Sequence, residues 1–178
     1  IATHLRRVLG YKDIDWLREQ VYGDVRRNII WALERLCFAR ESYHDGVFMM
    51  ARLAVAENEK IGNNATAQLV QLFHICLAGT EVNLEERLVT LKGLIDEGEA
   101  YIPLTIRCFE AALRNGGFVR VGGAEKFGFE NKKDYTPNTW EEIFEYWYGC
   151  RDLLLEWMDK NPKIIDLLVA MAERNVYN

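Results

Sequence analysis

Three pairs of neighbouring carboxylates have the type and spacing that could support general acid–base catalysis. They are Glu85 and Glu86, Asp96 and Glu97, and Glu141 and Glu142. Each pair lies in the first turn of a predicted helix or at an exposed helix end, where carboxylates compensate the helix dipole or keep the surface soluble. We therefore interpret the three pairs as helix-terminus and surface residues.

Histidines and glycine-rich motifs offer no better catalytic or metal site. His4, His44 and His74 lie on three separate predicted elements, without the paired spacing of a zinc site. His74 lies in the apolar run QLFHICL, which favours a hydrogen-bonded histidine in the core or at an interface. The segment VGGAEKFG lacks the glycine spacing and the Lys-Ser/Thr ending of a phosphate-binding loop. We predict no catalytic residue, no cofactor and no metal site.

The four cysteines lie far apart in apolar, helix-like surroundings. They are Cys37, Cys76, Cys108 and Cys150, and no two of them form a CxxC pair. A metal or redox site is one interpretation. The favoured one is that they are small buried hydrophobic residues in a reducing compartment.

Charge and hydropathy exclude several classes of partner. The sequence has 27 acidic against 22 basic residues, whereas surfaces that bind nucleic acid carry a basic excess. No stretch reaches the roughly 18 apolar residues of a membrane span, and the chain begins at Ile1 without a recognisable signal peptide. We expect one cytoplasmic helical domain over residues 1–178, cut from a larger multidomain protein, with neither a nucleic-acid nor a membrane partner.

Apolar residues recur at helical spacing along most of the chain. Asn83 with Glu86, and Thr139 with Glu142, have the spacing of capping boxes, which predicts that helices begin there. A third helix is predicted from the Asn63–Asn64 cap through residue 79. The helix after Thr139 is predicted to bury one stripe: Trp140, Ile143, Phe144, Trp147, Leu154, Trp157 and Met158.

Predicted helix starts recur about every 19 residues, which gives a helix pair about every 38 to 40 residues. This period is typical of stacked antiparallel helix pairs. We predict an all-α fold, a HEAT-like α-solenoid of eight to nine helices with one long ordered loop. An irregular helical bundle with similar helix lengths is the alternative.

Residues 116–138 interrupt the helical pattern with a long glycine-rich loop, and loops of this length in compact domains are usually functional or disordered. Its aromatic and basic side chains permit two interpretations, a recognition loop on a rigid scaffold or an ordered cover for the helical core. The candidate interaction residues are Arg120, Lys126, Phe127, Phe129, Lys132, Lys133 and Tyr135.

Several segments resemble a known protein class. WALERL at residues 31–36, LAVAENE at 53–59, NNAT at 63–66 and LAGTE at 77–81, with the later RVGGAE and YTPNTWEEIFEYW, are similar to the helical region that follows the nucleotide-binding module of large bacterial STAND-type NTPases, a class that includes antiviral defence proteins. The resemblance implies that the ATPase site lies elsewhere in a parent protein. It also implies that this region senses a ligand or transmits its binding.

We therefore predict a non-enzymatic scaffold for protein–protein recognition or interdomain coupling in a multidomain NTPase. Its partner would be another domain of the parent chain or a trigger protein. The alternative is a small-molecule-binding or enzymatic domain with a pocket near the loop, for which Tyr43, His44, Asp45 and Glu57 are the polar candidates.

Overall fold

A computed structural model describes residues 2–114 and 133–176, and these ranges are all-α, with nine α-helices and no β-strand. The predicted all-α class is thereby confirmed for these ranges, whereas the HEAT-like solenoid arrangement stays a prediction. The helices are α1 Ala2–Leu9, α2 Ile14–Gln20, α3 Gly23–Phe38, α4 Tyr43–Val55, α5 Ala65–Gln71, α6 Leu84–Asp96, α7 Ile102–Leu113, α8 Trp140–Lys160 and α9 Ile165–Val176. Most of the predicted loop, its residues 116–132, lies outside the described residues.

Side-chain caps fix the start of several helices. The side chain of Asn83 accepts a hydrogen bond from the backbone N–H of Glu86 at 2.9 Å, and Thr139 accepts one from Glu142 at 3.3 Å. Both predicted helix starts are confirmed. Glu86 does not complete its capping box, because its Oε1 lies 2.6 Å from Nη2 of Arg40 in an ion pair.

Helix α4 is central to the packing. It contacts α1, α2, α3, α5 and α7, and α7 in turn contacts α6, α8 and α9. The buried side chains on these helices form one hydrophobic cluster, in which Met50, Leu53, Phe73 and Phe109 are fully inaccessible to solvent. The row of helices from α3 through α4 and α7 to α8 carries the surfaces described below.

A buried ion pair joins α3 to the segment after α4. Arg26 is fully buried and its Nη2 donates to the carbonyl of Leu53 at 2.7 Å and to Glu57 Oε1 at 2.9 Å. Glu57 also accepts hydrogen bonds from the backbone N–H groups of Asn58, Glu59 and Thr66 and from the Thr66 hydroxyl. This carboxylate therefore compensates a buried charge and binds the start of α5.

The helix predicted through residue 79 is shorter than expected. Helix α5 ends at Gln71, and the following N–H groups, from Leu72 to His74, bond three residues back in tight turns. Leu77 and Gly79 then adopt positive φ angles of 55° and 79°. The apolar run predicted a helix, but Leu72, Phe73 and Ala78 are buried from irregular backbone, and Leu77 is 51% exposed. Cys76 in this run is exposed, whereas Cys37, Cys108 and Cys150 are buried as expected.

Candidate interaction surface on helix α8

Five of the seven residues predicted to mediate interaction lie outside the described residues. They are Arg120, Lys126, Phe127, Phe129 and Lys132. The other two, Lys133 and Tyr135, belong to the extended segment that precedes α8, where Lys133 is exposed and Tyr135 is half-buried. The structure therefore describes only the end of the predicted loop.

Tyr135 contacts the body of the domain instead of projecting from it. Its N–H donates to the carbonyl of Thr80 at 2.8 Å, and its hydroxyl donates to Glu142 on α8. Burial, together with the Glu142 carboxylate, raises the pKa of Tyr135 to about 12, so the hydroxyl stays protonated and donating. Next to it, Asp134 Oδ2 accepts from the N–H of Gly79 at 3.1 Å. The described end of the loop is thus bound to the core.

The polar residues of the alternative enzyme pocket do not converge. Tyr43, His44 and Asp45 lie at the start of α4 and Glu57 lies beyond its end, so about 18 Å of helix separates them. Tyr43 is fully buried, Asp45 forms an ion pair with Arg6, and Glu57 is occupied by Arg26. The structure therefore does not bring these four residues together around one pocket.

Helix α8 is rotated relative to the predicted stripe. Trp157 is buried as expected, but Trp140 is 66% exposed and Phe144 is 44% exposed. The face turned to the core instead carries Tyr146 and Cys150, and the Tyr146 hydroxyl donates to the Phe73 carbonyl at 3.1 Å. The prediction that Trp140 and Phe144 are buried is therefore wrong. Aromatic residues occur on nearly every side of this helix, so hydropathy alone does not select the buried one.

Three exposed aromatic residues, Trp140, Phe144 and Tyr148, form a continuous line one helical turn apart, which we call the aromatic row. The centroid of the Phe144 ring is 6.1 Å from that of Trp140 and 6.3 Å from that of Tyr148, to which it is stacked. The guanidinium carbon of Arg151 lies 5.1 Å from the Tyr148 ring centroid. The rings are therefore ordered against one another while their outer faces contact solvent.

One side of the aromatic row is acidic. Glu141, Glu145 and Asp152, which we call the acidic flank, are exposed and lie about 60 to 100° around α8 from Phe144. Asp152 pairs with Arg151 at 2.7 Å. Glu141 and Glu145 form no ion pair with any residue that the structure describes. The aromatic row is therefore an apolar strip that is bordered on one side by the negative charges of Glu141 and Glu145.

Next to the acidic flank, and away from the aromatic row, α8 borders a groove of about 360 Å³ against α6. Its lining residues are Asn83, Leu84, Glu85, Leu88, Tyr135, Glu142, Glu145 and Tyr146. Glu142 is occupied by the Tyr135 hydroxyl and by the N–H of Asn138 at 3.4 Å. Glu145 therefore faces both the groove and the acidic flank.

The described residues include no cluster of three His, Cys, Asp or Glu side chains that could hold a metal ion. Among the helices in these ranges, none combines the length and the hydrophobicity needed to cross a membrane. No family model, curated protein or solved structure significantly matches this chain.

Proposed function

We propose that this chain is a non-enzymatic helical scaffold that recognises another protein through the aromatic row on α8. The observation that carries the proposal is the continuous exposure of Trp140, Phe144 and Tyr148 in one line. Large aromatic side chains supply most binding energy at protein interfaces, because each one removes much apolar area from water. A contiguous exposed apolar strip bordered by charge is typical of an interaction site.

The charges around the aromatic row select the kind of partner. The free carboxylates of Glu141 and Glu145 would repel an acidic surface and attract a basic one. The partner is therefore an apolar helical face with lysine or arginine along one margin, the arrangement of helix-in-groove and helix–helix recognition.

The wider setting follows from the resemblance to the helical region of STAND-type NTPases. In that setting the helices stack as an α-solenoid, and the aromatic row contacts another domain of the parent protein or a trigger protein. Binding at α8 would then be transmitted along the stack from α8 through α7 to α4. The scaffold itself would carry out no reaction.

Two synthetic amphipathic helical peptides test the surface. They share one leucine pattern but carry lysine or glutamate along the margin, and binding is followed by intrinsic tryptophan fluorescence and by calorimetry. We expect the lysine peptide to bind at least about tenfold more tightly than the glutamate peptide, a difference of about 1.4 kcal/mol. Phe144→Ser should abolish this binding.

The matched control is Val89→Ser, because Val89 is 61% exposed on α6 and lies outside the aromatic row. This variant should bind the lysine peptide as the unmodified chain does. Equal loss in the two variants, or equal affinity for the two peptides, would contradict the proposal.

A further inference from the structure

A second exposed apolar surface lies on α3. It is a groove of about 510 Å³ lined by Asn28, Trp31, Ala32, Arg35, Leu36, Ala39 and Ser42, which we call the α3 groove. Trp31 is 49% exposed at its edge. Arg35 is the only charged residue among those that line it. The α3 groove is therefore apolar with a single positive charge.

The α3 groove and the aromatic row do not meet within one molecule. Helix α3 packs against α4, whereas α8 packs against α6 and α7. No residue of α8 is among the described residues that line the α3 groove, and α3 and α8 are not among the described helix pairs in extensive contact. Both surfaces are solvent-exposed in the same structure, so each one is open to a second molecule.

The two surfaces are complementary in chemistry. The aromatic row offers three rings beside the carboxylates of Glu141 and Glu145, which form no ion pair with described residues, and the α3 groove offers an apolar floor with Arg35. Arg35 forms no ion pair with any described residue. An apolar contact flanked by opposite charges both removes hydrophobic area from water and fixes the orientation of the two partners.

We propose that the aromatic row of one copy docks in the α3 groove of a second copy. This inference rests on the proposed function and names its partner: α3 offers an apolar groove with one positive charge, Arg35, opposite in sign to the acidic flank. Because the two surfaces differ, the contact is head-to-tail. Such contacts generate open chains, or rings if the rotation between copies closes.

Sedimentation velocity of the full chain over a range of concentrations tests the inference. The unmodified chain should increase in mass with concentration. Trp31→Ser and Phe144→Ser should each stay monomeric, since each lacks one of the two surfaces. An equimolar mixture of the two variants should form a dimer, because the intact aromatic row of the first fits the intact α3 groove of the second.

Reversing the charges on the two surfaces tests the inference independently. Arg35→Glu should weaken association at least about tenfold, a change of about 1.4 kcal/mol. Mixing it with a variant that carries both Glu141→Arg and Glu145→Arg should restore association. Val89→Ser, the control on α6, should associate as the unmodified chain does, and the helical circular dichroism of every variant should be unchanged.

Distinct outcomes overturn the inference. A mixture of Trp31→Ser and Phe144→Ser that stays monomeric excludes head-to-tail docking. Association that Phe144→Ser abolishes but Trp31→Ser leaves intact shows a symmetric contact between two α8 helices instead.

If the unmodified chain is monomeric throughout but still binds the lysine peptide through Phe144, the second copy is excluded while the proposed function stands. If Phe144→Ser changes neither measurement, both proposals fail.

Discussion

The guanidinium of Arg87 lies against the ring of Tyr135, with 5.6 Å between the guanidinium carbon and the ring centroid. Arg87 is fully buried on α6, where its Nη1 donates to the His74 carbonyl at 2.7 Å and its Nε donates to the Val82 carbonyl at 2.9 Å. Burial lowers the pKa of Arg87, which the carboxylate of Asp134 partly opposes. One cation thus binds the irregular segment after α5 and the segment before α8 to the same helix.

Replacing Arg87 with methionine should destabilise the domain. The change keeps apolar bulk but removes the hydrogen bonds that Arg87 donates to the carbonyls of His74 and Val82, at about 1 to 3 kcal/mol for each buried group. We expect the free energy of unfolding in urea to fall by at least about 2 kcal/mol. Arg107→Met is the matched control. Because Arg107 is exposed on α7, its loss should change stability by no more than about 0.5 kcal/mol.

Two tryptophans on α8 test the rotation of this helix. Trp157 is 5% exposed and its ring centroid lies 6.2 Å from that of Phe109, so Trp157→Ala should cost about 3 to 5 kcal/mol in urea denaturation. Trp140→Ala makes the same chemical change at an exposed position and should cost less than about 1 kcal/mol. Comparable losses in the two variants would contradict the described orientation of α8.

Local signals in the sequence predict where helices begin, but they do not predict which side of a helix is buried. The side chains of Asn83 and Thr139 find their donors within the next turn, so those helix starts depend on no distant residue. The buried side of α8 depends on what faces it. Tyr146 faces inward because the Phe73 carbonyl lies opposite, and Gly149 packs closely against Leu88. The pattern of apolar residues within α8 contains no information about either of these neighbours, so it does not predict the buried side.

The buried arginines were beyond sequence reasoning for a related physical reason. Arginine is almost never fully buried unless it is paired, so the sequence pattern places Arg26 and Arg87 on the surface. Arg26 is paired with Glu57, and Arg87 donates to the carbonyl of His74, which lies beyond the end of α5 at Gln71. The end of α5 at Gln71 and the burial of Arg87 therefore depend on each other. The aromatic row was missed in the same way, since its exposure follows from how α8 packs.

Replacing Glu57 with glutamine should be more damaging than the small change in shape suggests. The glutamine amide would place an NH₂ donor where one carboxylate oxygen accepts hydrogen bonds. In one orientation this NH₂ would face Arg26 and the N–H of Asn58, and in the other it would face the N–H and the hydroxyl of Thr66. The charge of Arg26 would also lose its closest carboxylate partner. Because the Glu57 side chain is 20% exposed, we expect a loss of about 2 kcal/mol, below that of a fully buried pair. The measurement is urea unfolding.

The comparison for Glu57→Gln is Glu19→Gln, which removes the same charge from the exposed end of α2. This variant should remain within about 0.5 kcal/mol of the unmodified chain. A Glu57→Gln protein as stable as Glu19→Gln would show that the carboxylate network contributes nothing to folding.

Stability should fall as the pH is lowered through the range in which His74 titrates. Burial, with smaller effects from Arg114 and Arg87, lowers the pKa of His74 from its ordinary value of 6.5 to about 4. Between these values the unfolded chain binds a proton that the folded chain does not, so acidification favours unfolding. The contribution is present in full above pH 6.5 and is lost as the pH falls towards 4. After allowance for solvent screening, we expect it to be on the order of 2 kcal/mol.

His74→Gln should remove this part of the pH dependence, because glutamine does not titrate, although it also lowers stability at neutral pH by disturbing a buried site. The relevant quantity is therefore the slope of unfolding free energy against pH between 6.5 and 4, not its value at one pH. His44→Gln changes an exposed histidine at the start of α4 and should leave that slope in place. Equal slopes in the unmodified chain and in His74→Gln would mean that His74 binds its proton equally well in the folded and unfolded states, contrary to its position beside two arginines.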